Sequence, residues 1–286
     1  MKRVTLMPNP YRDRGFQITR AAEKILRESG AETKICLPFH VDRDYTMPED
    51  LRFVTMDEAF RGCDCMVCFG GDGTILHAAR LVGARDIPML GVNTGTMGFM
   101  AELESNELSL LPKILEDDVP TEERMMIHVA MKRNGRVIYE DNALNDAVIT
   151  KGAVARVIQL TVSCDKVEAM HFDGDGIVIA TPTGSTAYSV SAGGPIVEPT
   201  AKNIIVTPIC AHAMGIRSLV LMHDRTVVTR VGRIGKRSAF LSVDGGKAIK
   251  LSADDEVVTT ASRRAVRLLK IKDASYYSTL NQKFQR

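Results

Sequence analysis

The sequence is short of several things, and each shortage narrows the field. Net charge is small: 37 basic residues face 35 acidic ones, a formal balance of +2. No strong basic field marks the chain as a nucleic-acid binder. No window approaches the ~20 apolar residues of a membrane span, so no membrane partner is expected. The start, "MKRVTLMPNPYRDRG", is basic but has no long apolar core and no small-residue cleavage site. No signal peptide is expected, and the expected location is the cytoplasm. Cysteines are badly spaced for zinc: Cys63, Cys65 and Cys68 crowd together, while Cys36, Cys164 and Cys210 stand alone. A zinc site would want a second paired cluster. The expectation is buried free thiols in a reducing compartment. Internal repeats, low-complexity tracts and an obvious flexible linker are absent too. What remains is an ordinary globular composition, 45% hydrophobic and 25% charged, in 286 residues that suit one large domain or two medium ones.

The first third alternates strand and helix. "RVTLMPN", "TKICLPF", "DCMVCFGG" and "IPMLGVN" read as strands. "GFQITRAAEKILRESG" reads as an amphipathic helix, with Ile18, Ala22, Ile25 and Leu26 at helical spacing and Gly30 placed to end it. "TILHAARLVG" is a second helix. "NELSLLPKILEDD" is a third, with Pro112 early enough to be tolerated. Such alternation implies a mostly parallel sheet with helices on its faces. After about residue 120 short β-rich runs take over, beginning with a hairpin signal at Asn134-Gly135. "VARVIQLTVSC", "GIVIATP", "NIIVTPIC", "SLVLM", "TVVTRV", "AFLSVDGG" and "AIKLSADDEVVTT" follow, the pattern of an antiparallel, sandwich-like domain. The expected division is an α/β nucleotide-binding domain over 1–120, a β domain over 121–262, and a segment, 263–286, that returns to the first domain.

Two stretches carry chemistry. In "MVCFGGDGTILHAAR" a strand ends at Phe69 and a helix is expected near Thr74, a candidate N-cap. Gly70, Gly71 and Gly73 permit positive φ and leave no Cβ to block a ligand. With the helix N-terminus they suggest a phosphate site. The turn lacks the lysine of a P-loop and the spaced glycines of a dinucleotide fingerprint. A carboxylate beside a phosphate cradle is electrostatically awkward. Asp72 makes sense if it binds a hydroxyl, accepts its proton or holds a metal ion, as in phosphoryl transfer to an alcohol. The second stretch is "TPTGSTAYSVSAGGP" (181–195), whose small hydroxyl residues offer donors and acceptors with little bulk. Tyr188 could pack against a base or sugar.

Together these motifs resemble the NAD kinase family. "GGDGT" (70–74), "ALNDAVI" (143–149) and "TPTGSTAYSVSAGGP" stand in the family's order, and "GVNTGTMGFM" (91–100) and "SVDGG" (242–246) are similar to two further marks. The resemblance covers nearly the whole chain. It implies transfer of the ATP γ-phosphoryl group to the 2′-hydroxyl of the adenosine ribose of NAD, giving NADP. It implies a Rossmann-like N-terminal domain, a C-terminal β-sandwich, an active site between them, and a homo-oligomer, dimer or tetramer. Asp72 would be the proton acceptor, with Gly73 binding through its backbone. His77 would meet a phosphate, or is a partly exposed helix histidine. Phe99 would lie near the adenosine, or in the core. Asn145 and Asp146 would contact the adenine and the ribose hydroxyls. Thr183, Thr186, Ala187, Tyr188 and Ser191 would line the adenosine pocket. Asp175 would reach the nicotinamide end, and Arg156 is a phosphate candidate or a solvated strand arginine. Two positions depart from the pattern: Asp173, where some relatives have a basic residue, and Gly246, often Gln. A divalent ion, Mg²⁺ first, would come with ATP, held by phosphates and waters rather than a protein cage. The sequence's other readings are a lipid kinase sharing GGDGT and a non-catalytic dinucleotide sensor.

Overall fold

Strands β1 (Arg3–Pro8), β2 (Glu32–Ile35), β3 (Cys65–Gly70) and β4 (Met89–Asn93) build the first sheet; β3 and β4 are nearly unbroken apolar runs with every residue buried, while β2, last in the strand order, is the mixed Glu-Thr-Lys-Ile. Runs of this kind belong to parallel sheets covered on both faces. The strands pair in parallel in the order β4-β3-β1-β2. The structure, a computed structural model, describes residues 1–95, 98–152, 156–213, 215–233, 235, 238–273 and 276–284. Its chain divides into two units, Met1–Glu123 with Val266–Arg286, and Arg124–Ala265.

In the first unit, helix α1 (Gln17–Glu28) packs Thr19, Ala22 and Leu26 into a core with Leu6, Val67 and Leu90. The buried Asp13 carboxylate starts this helix by accepting hydrogen bonds from the N–H groups of Ile18 and Thr19 and from the Thr19 hydroxyl. Helix α2 (Met56–Phe60), not foreseen, is capped by Thr55, whose side chain accepts from the Glu58 N–H. Helix α3 (Asp72–Gly83) follows β3 directly. The run around Pro112 is a 3₁₀ helix, Leu108–Leu115, rather than the expected α-helix. Pro112 has no N–H for an α-helical bond and its ring crowds the preceding turn. The strand expected over 33–39 stops at Ile35. The two-residue strand β5 (Leu103–Glu104) pairs with β4.

The second unit is antiparallel. Its strands are β6 (Thr121–Arg133), β7 (Arg136–Ala143), β8 (Asp146–Lys151), β9 (Ile158–Cys164), β10 (Val167–Gly174), β11 (Gly176–Ala180), β12 (Asn203–Ile209), β13 (Leu219–Met222), β14 (Val227–Val231), β15 (Ala239–Val243), β16 (Ile249–Leu251) and β17 (Glu256–Leu269). One layer runs β13-β12-β11-β8-β15-β16; the other contains β10-β9-β14-β17, with the β6–β7 hairpin attached. Alternate residues of both layers, among them Ile149, Leu160, Ile177, Val206 and Leu241, fill the core between them. The hairpin turns at Asn134 and Gly135, both at positive φ (50° and 75°), as a tight two-residue connection requires. Residues 154 and 155 of the expected strand over 154–164 lie outside the described residues. β17 ends in the first unit, where Leu268 pairs with Met89. An α/β unit with a parallel sheet and an antiparallel sandwich is the expected fold class.

Asp13 serves three donors at the start of α1, so Asp13→Ala should lower stability by about 2 kcal/mol, the upper end for a lost helix cap. The shift of the urea midpoint, at unchanged slope, measures it.

Candidate active site

The glycine-rich turn works differently from its sequence-level reading. Helix α3 starts at Asp72 with Gly71 as N-cap, and Thr74 lies inside the first turn. Thr74 instead accepts a 2.7 Å hydrogen bond from Asn9 Nδ2, which ties the end of β1 to α3. Gly70, Gly71 and Gly73 are not among the positive-φ residues. Gly70 is required because a Cβ would strike Thr74, while Gly71 and Gly73 border open space. They therefore leave room for a ligand without any unusual backbone.

Asp72 is held from the other side. The N–H of Phe99 donates to its Oδ2 at 2.9 Å and the N–H of Met100 to its Oδ1 at 3.2 Å. A Cβ on Gly98 would collide with the same carboxylate, so the 98–100 turn wraps it closely. Residues 96 and 97 of this motif lie outside the described residues. Lys283 of the C-terminal helix α5 (Tyr276–Phe284) brings its ammonium to 3.8 Å from Asp72 Oδ2 and 4.1 Å from the Phe99 ring centroid. Around these groups lies a cleft of about 510 Å³. Asn9, Arg12, Phe39, Asp72, His77 and Lys283 are among its walls. One carboxylate thus meets the Lys283 ammonium and shares its cleft with Arg12 and His77. His77 Nε2 is 2.7 Å from the Pro38 carbonyl oxygen and its ring meets Phe39 edge-on.

In the second unit three distant segments are knitted together. Asp244, at φ 48°, accepts from the N–H groups of Leu144, Asn145 and Asp146 at 2.8, 2.8 and 3.1 Å. The Thr181 N–H donates to the Asn145 carbonyl, and its hydroxyl donates to Leu144 and accepts from the Gly184 N–H. Gly184 admits no Cβ, because one would occupy the place of the Asn145 carbonyl. Most of the hydroxyls that looked available to a ligand serve the fold. Ser185 bonds Pro182 and Val197, Ser189 bonds Thr207, and Thr186 bonds the Thr183 carbonyl. Thr183 is buried and accepts from Arg124. Tyr188 and Ser191, on helix α4 (Tyr188–Ser191), are exposed, and Thr186 and Ala187 are half-buried beside them. Asp175 pairs with Lys151 at 2.7 Å. Arg156 is exposed before β9 and has no polar partner among the described residues.

Burial, and then the neighbouring Asp244 carboxylate, push the Asp146 carboxyl up to about 7. Burial raises the Cys36 and Cys65 thiols to about 12, so these cysteines stay protonated and inert.

The N-terminal domain model of the ATP-NAD kinases matches residues 12–119, and the C-terminal domain model matches 144–271. The NAD kinase of Acetivibrio thermocellus is 34% identical over 287 residues, covering 99% of this chain and 97% of its own length. The chain belongs to the NAD kinase family. It is an enzyme that phosphorylates NAD with ATP as donor. The NAD kinase of Natranaerobius thermophilus is 36% identical over 284 residues, covering 99% of this chain and 98% of its own. Yeast NADH kinase complexed with NADH shares the fold at a TM-score of 0.86 and 24% identity, over 100% of this chain and 88% of that one. An NAD kinase from Archaeoglobus fulgidus in complex with ATP does so at 0.74 and 24%, over 99% and 98%. Among the readings open to the sequence, the family match selects the NAD kinase over the lipid kinase and the sensor. Sequence alone leaves out Arg12 and Lys283 of the cleft wall and Asp244, which shapes the 144–146 turn. Asp244 had a signal, since "SVDGG" was one of the family marks, whereas nothing in local spacing points to Arg12 or Lys283.

Asp146 provides a test through pH. The folded chain keeps this proton between the ordinary value of 3.8 and about 7, where the unfolded chain has lost it. Stability is therefore present at low pH and drains away as the pH rises through that window. Asp146→Asn removes the ionisation, so its melting temperature should gain on the parent between about pH 5 and about pH 8. Parallel melting curves at both pH values measure this.

Proposed function

We propose that Asp72 is the acceptor-side base of the transfer: it orients the 2′-hydroxyl of the adenosine ribose of NAD and takes its proton as the bond to the ATP γ-phosphorus forms. The observation that carries this is the clamp of Phe99 and Met100 on both carboxylate oxygens. An ionised carboxylate has about four lone-pair sites, so two N–H bonds fix its plane and still leave lone pairs for a hydroxyl. An aspartate is a weak base near neutral pH. Orientation is then its main contribution, as expected where positioning dominates phosphoryl transfer.

The donor phosphates sit at the start of α3, where the first N–H groups of a helix have no acceptor within it and Gly71 and Gly73 leave open approach. His77 reaches a phosphate through its ring edge, and Phe99 stands beside the adenosine. In the second unit Asn145 and Asp146 read the adenine and the ribose hydroxyls. Tyr188, Ala187, Thr186 and Ser191 form the exposed wall of that pocket, with Thr183 behind them. Asp175 serves the nicotinamide end and Arg156 is an outlying phosphate contact. Mg²⁺ or another divalent ion accompanies ATP and neutralises charge on the triphosphate. The ion's ligands are phosphate oxygens and water. The proposal includes a homo-oligomer and a cytoplasmic location; no described helix is long and apolar enough to cross a membrane.

The test is NADP formation from NAD, ATP and Mg²⁺, read with a coupled NADP-specific dehydrogenase. Asp72→Asn should lower kcat by about 10²–10⁴ while ATP still raises its melting temperature. Activity equal to the parent's would remove Asp72 as the base. Chelation of the divalent ion should abolish turnover in the parent and readdition should restore it.

A further inference from the structure

We infer that Lys283, from the last helix of the chain, is a further site residue for the transfer: its ammonium contacts the transferring phosphoryl group while staying in reach of Asp72. The inference rests on the role proposed for Asp72. It starts from an electrostatic difficulty. A carboxylate close enough to take the hydroxyl proton is also close to the negative oxygens of the phosphoryl group, and the two repel. A cation able to meet both relieves this, and Lys283 is placed to do so.

Its geometry argues for more than a structural clasp. At 3.8 Å the Asp72 contact is longer than a closed ammonium–carboxylate hydrogen bond, which lies near 2.8 Å. The Phe99 ring, 4.1 Å away, attracts the charge without using any N–H donor. Lys283 is therefore held in position with donors to spare. The side chain keeps a quarter of its surface exposed, on the wall of the cleft that also contains Gly71, Gly73 and Arg12. Phe99 serves both partners: its N–H fixes the Asp72 carboxylate and its ring fixes the Lys283 ammonium. One residue thus sets the spacing between base and cation.

The transfer balances simply. The ribose oxygen forms a bond to the γ-phosphorus, and the bond from that phosphorus to the β,γ-bridging oxygen breaks. Its electron pair leaves with ADP, and the hydroxyl proton passes to Asp72. Lys283 neither gains nor loses a proton. It offsets the charge that gathers between base and phosphorus, the kind of preorganised stabilisation that acts in the transition state.

The experiment compares the parent enzyme with Lys283→Met and Lys283→Arg in full-length protein. Steady-state kinetics are measured for each substrate, with melting curves in the presence and absence of inorganic tripolyphosphate. Lys283→Met should lower kcat about 10²-fold and raise KM for ATP several-fold, with KM for NAD changed less than about twofold. Lys283→Arg should recover most of the loss. Tripolyphosphate should stabilise the parent and the Arg variant more than the Met variant. A Met variant that melts earlier but keeps the parent's kcat and KM for ATP has lost only a clasp on α5, and overturns the inference. Should Asp72→Asn keep the parent's activity, the underlying reading fails. The tripolyphosphate shift then decides: weaker in the Met variant upholds the phosphate contact, equal in both overturns it.

Discussion

A carboxylate that cannot turn is the constraint on which the first unit is organised. Both oxygens of Asp72 are taken by peptide N–H groups of the 98–100 turn. Hydrogen bonds to a charged group are each worth about 1.5–3 kcal/mol, enough to make one side-chain orientation dominant. The clamp follows from topology. β3 and β4 run parallel, with Gly70 opposite Asn93, so both strands end at the same edge of the sheet. α3 leaves from one strand and the turn leaves from the other, and the carboxylate at the head of the helix meets the peptides that follow β4. Ligands of open parallel sheets gather at this edge for the same reason. The bond between Asn9 and Thr74 adds the end of β1 to the same cluster.

The second unit uses a carboxylate in the opposite way. Asp244 binds no open space; it collects three successive N–H groups and gives the 144–146 turn its shape. Thr181 and Gly184 close on that turn from the far side. The polarity of the Thr-Pro-Thr-Gly-Ser-Thr block is then largely internal. Buried backbone groups at a strand-to-helix junction need partners, and short hydroxyl side chains supply them with little volume. What faces outward is a rim of Thr186, Ala187, Tyr188 and Ser191.

The sequence makes the fold class legible because its periodicities are strong. The central strands β3 and β4 are nearly continuous apolar runs, α1 repeats its apolar residues at helical spacing, and Asn134-Gly135 suits the backbone of a tight hairpin. The local errors share a cause. Thr74 had the right side chain for an N-cap, but Asn9, 65 positions earlier, claimed its hydroxyl. The glycines of GGDGT suggested positive φ, yet Gly70 answers to a crowded neighbour instead. Pro112 tightened a helix that periodicity alone would leave as α. Site residues supplied by tertiary contacts were out of reach: Lys283 and Asp72 are separated by most of the chain, and no spacing rule joins them. The residue types of the motifs point to phosphoryl chemistry, but not to which hydroxyls are free and which are already bonded.

Two carboxylates, one in each unit, stand in opposite environments. Asp72 stands at the head of α3, takes two N–H bonds and faces a lysine. Asp146 is buried beside Asp244, and its carboxyl rises to about 7. A carboxyl poised near neutrality can donate one hydrogen bond as well as accept, so it can meet a hydroxyl in either role. A carboxylate meant to receive a proton late in a reaction gains instead from being held in one plane beforehand, as the Phe99 and Met100 N–H groups hold Asp72. The difference between the two sites lies in solvent exposure and in the sign of the nearest charge, and each is set by the local fold.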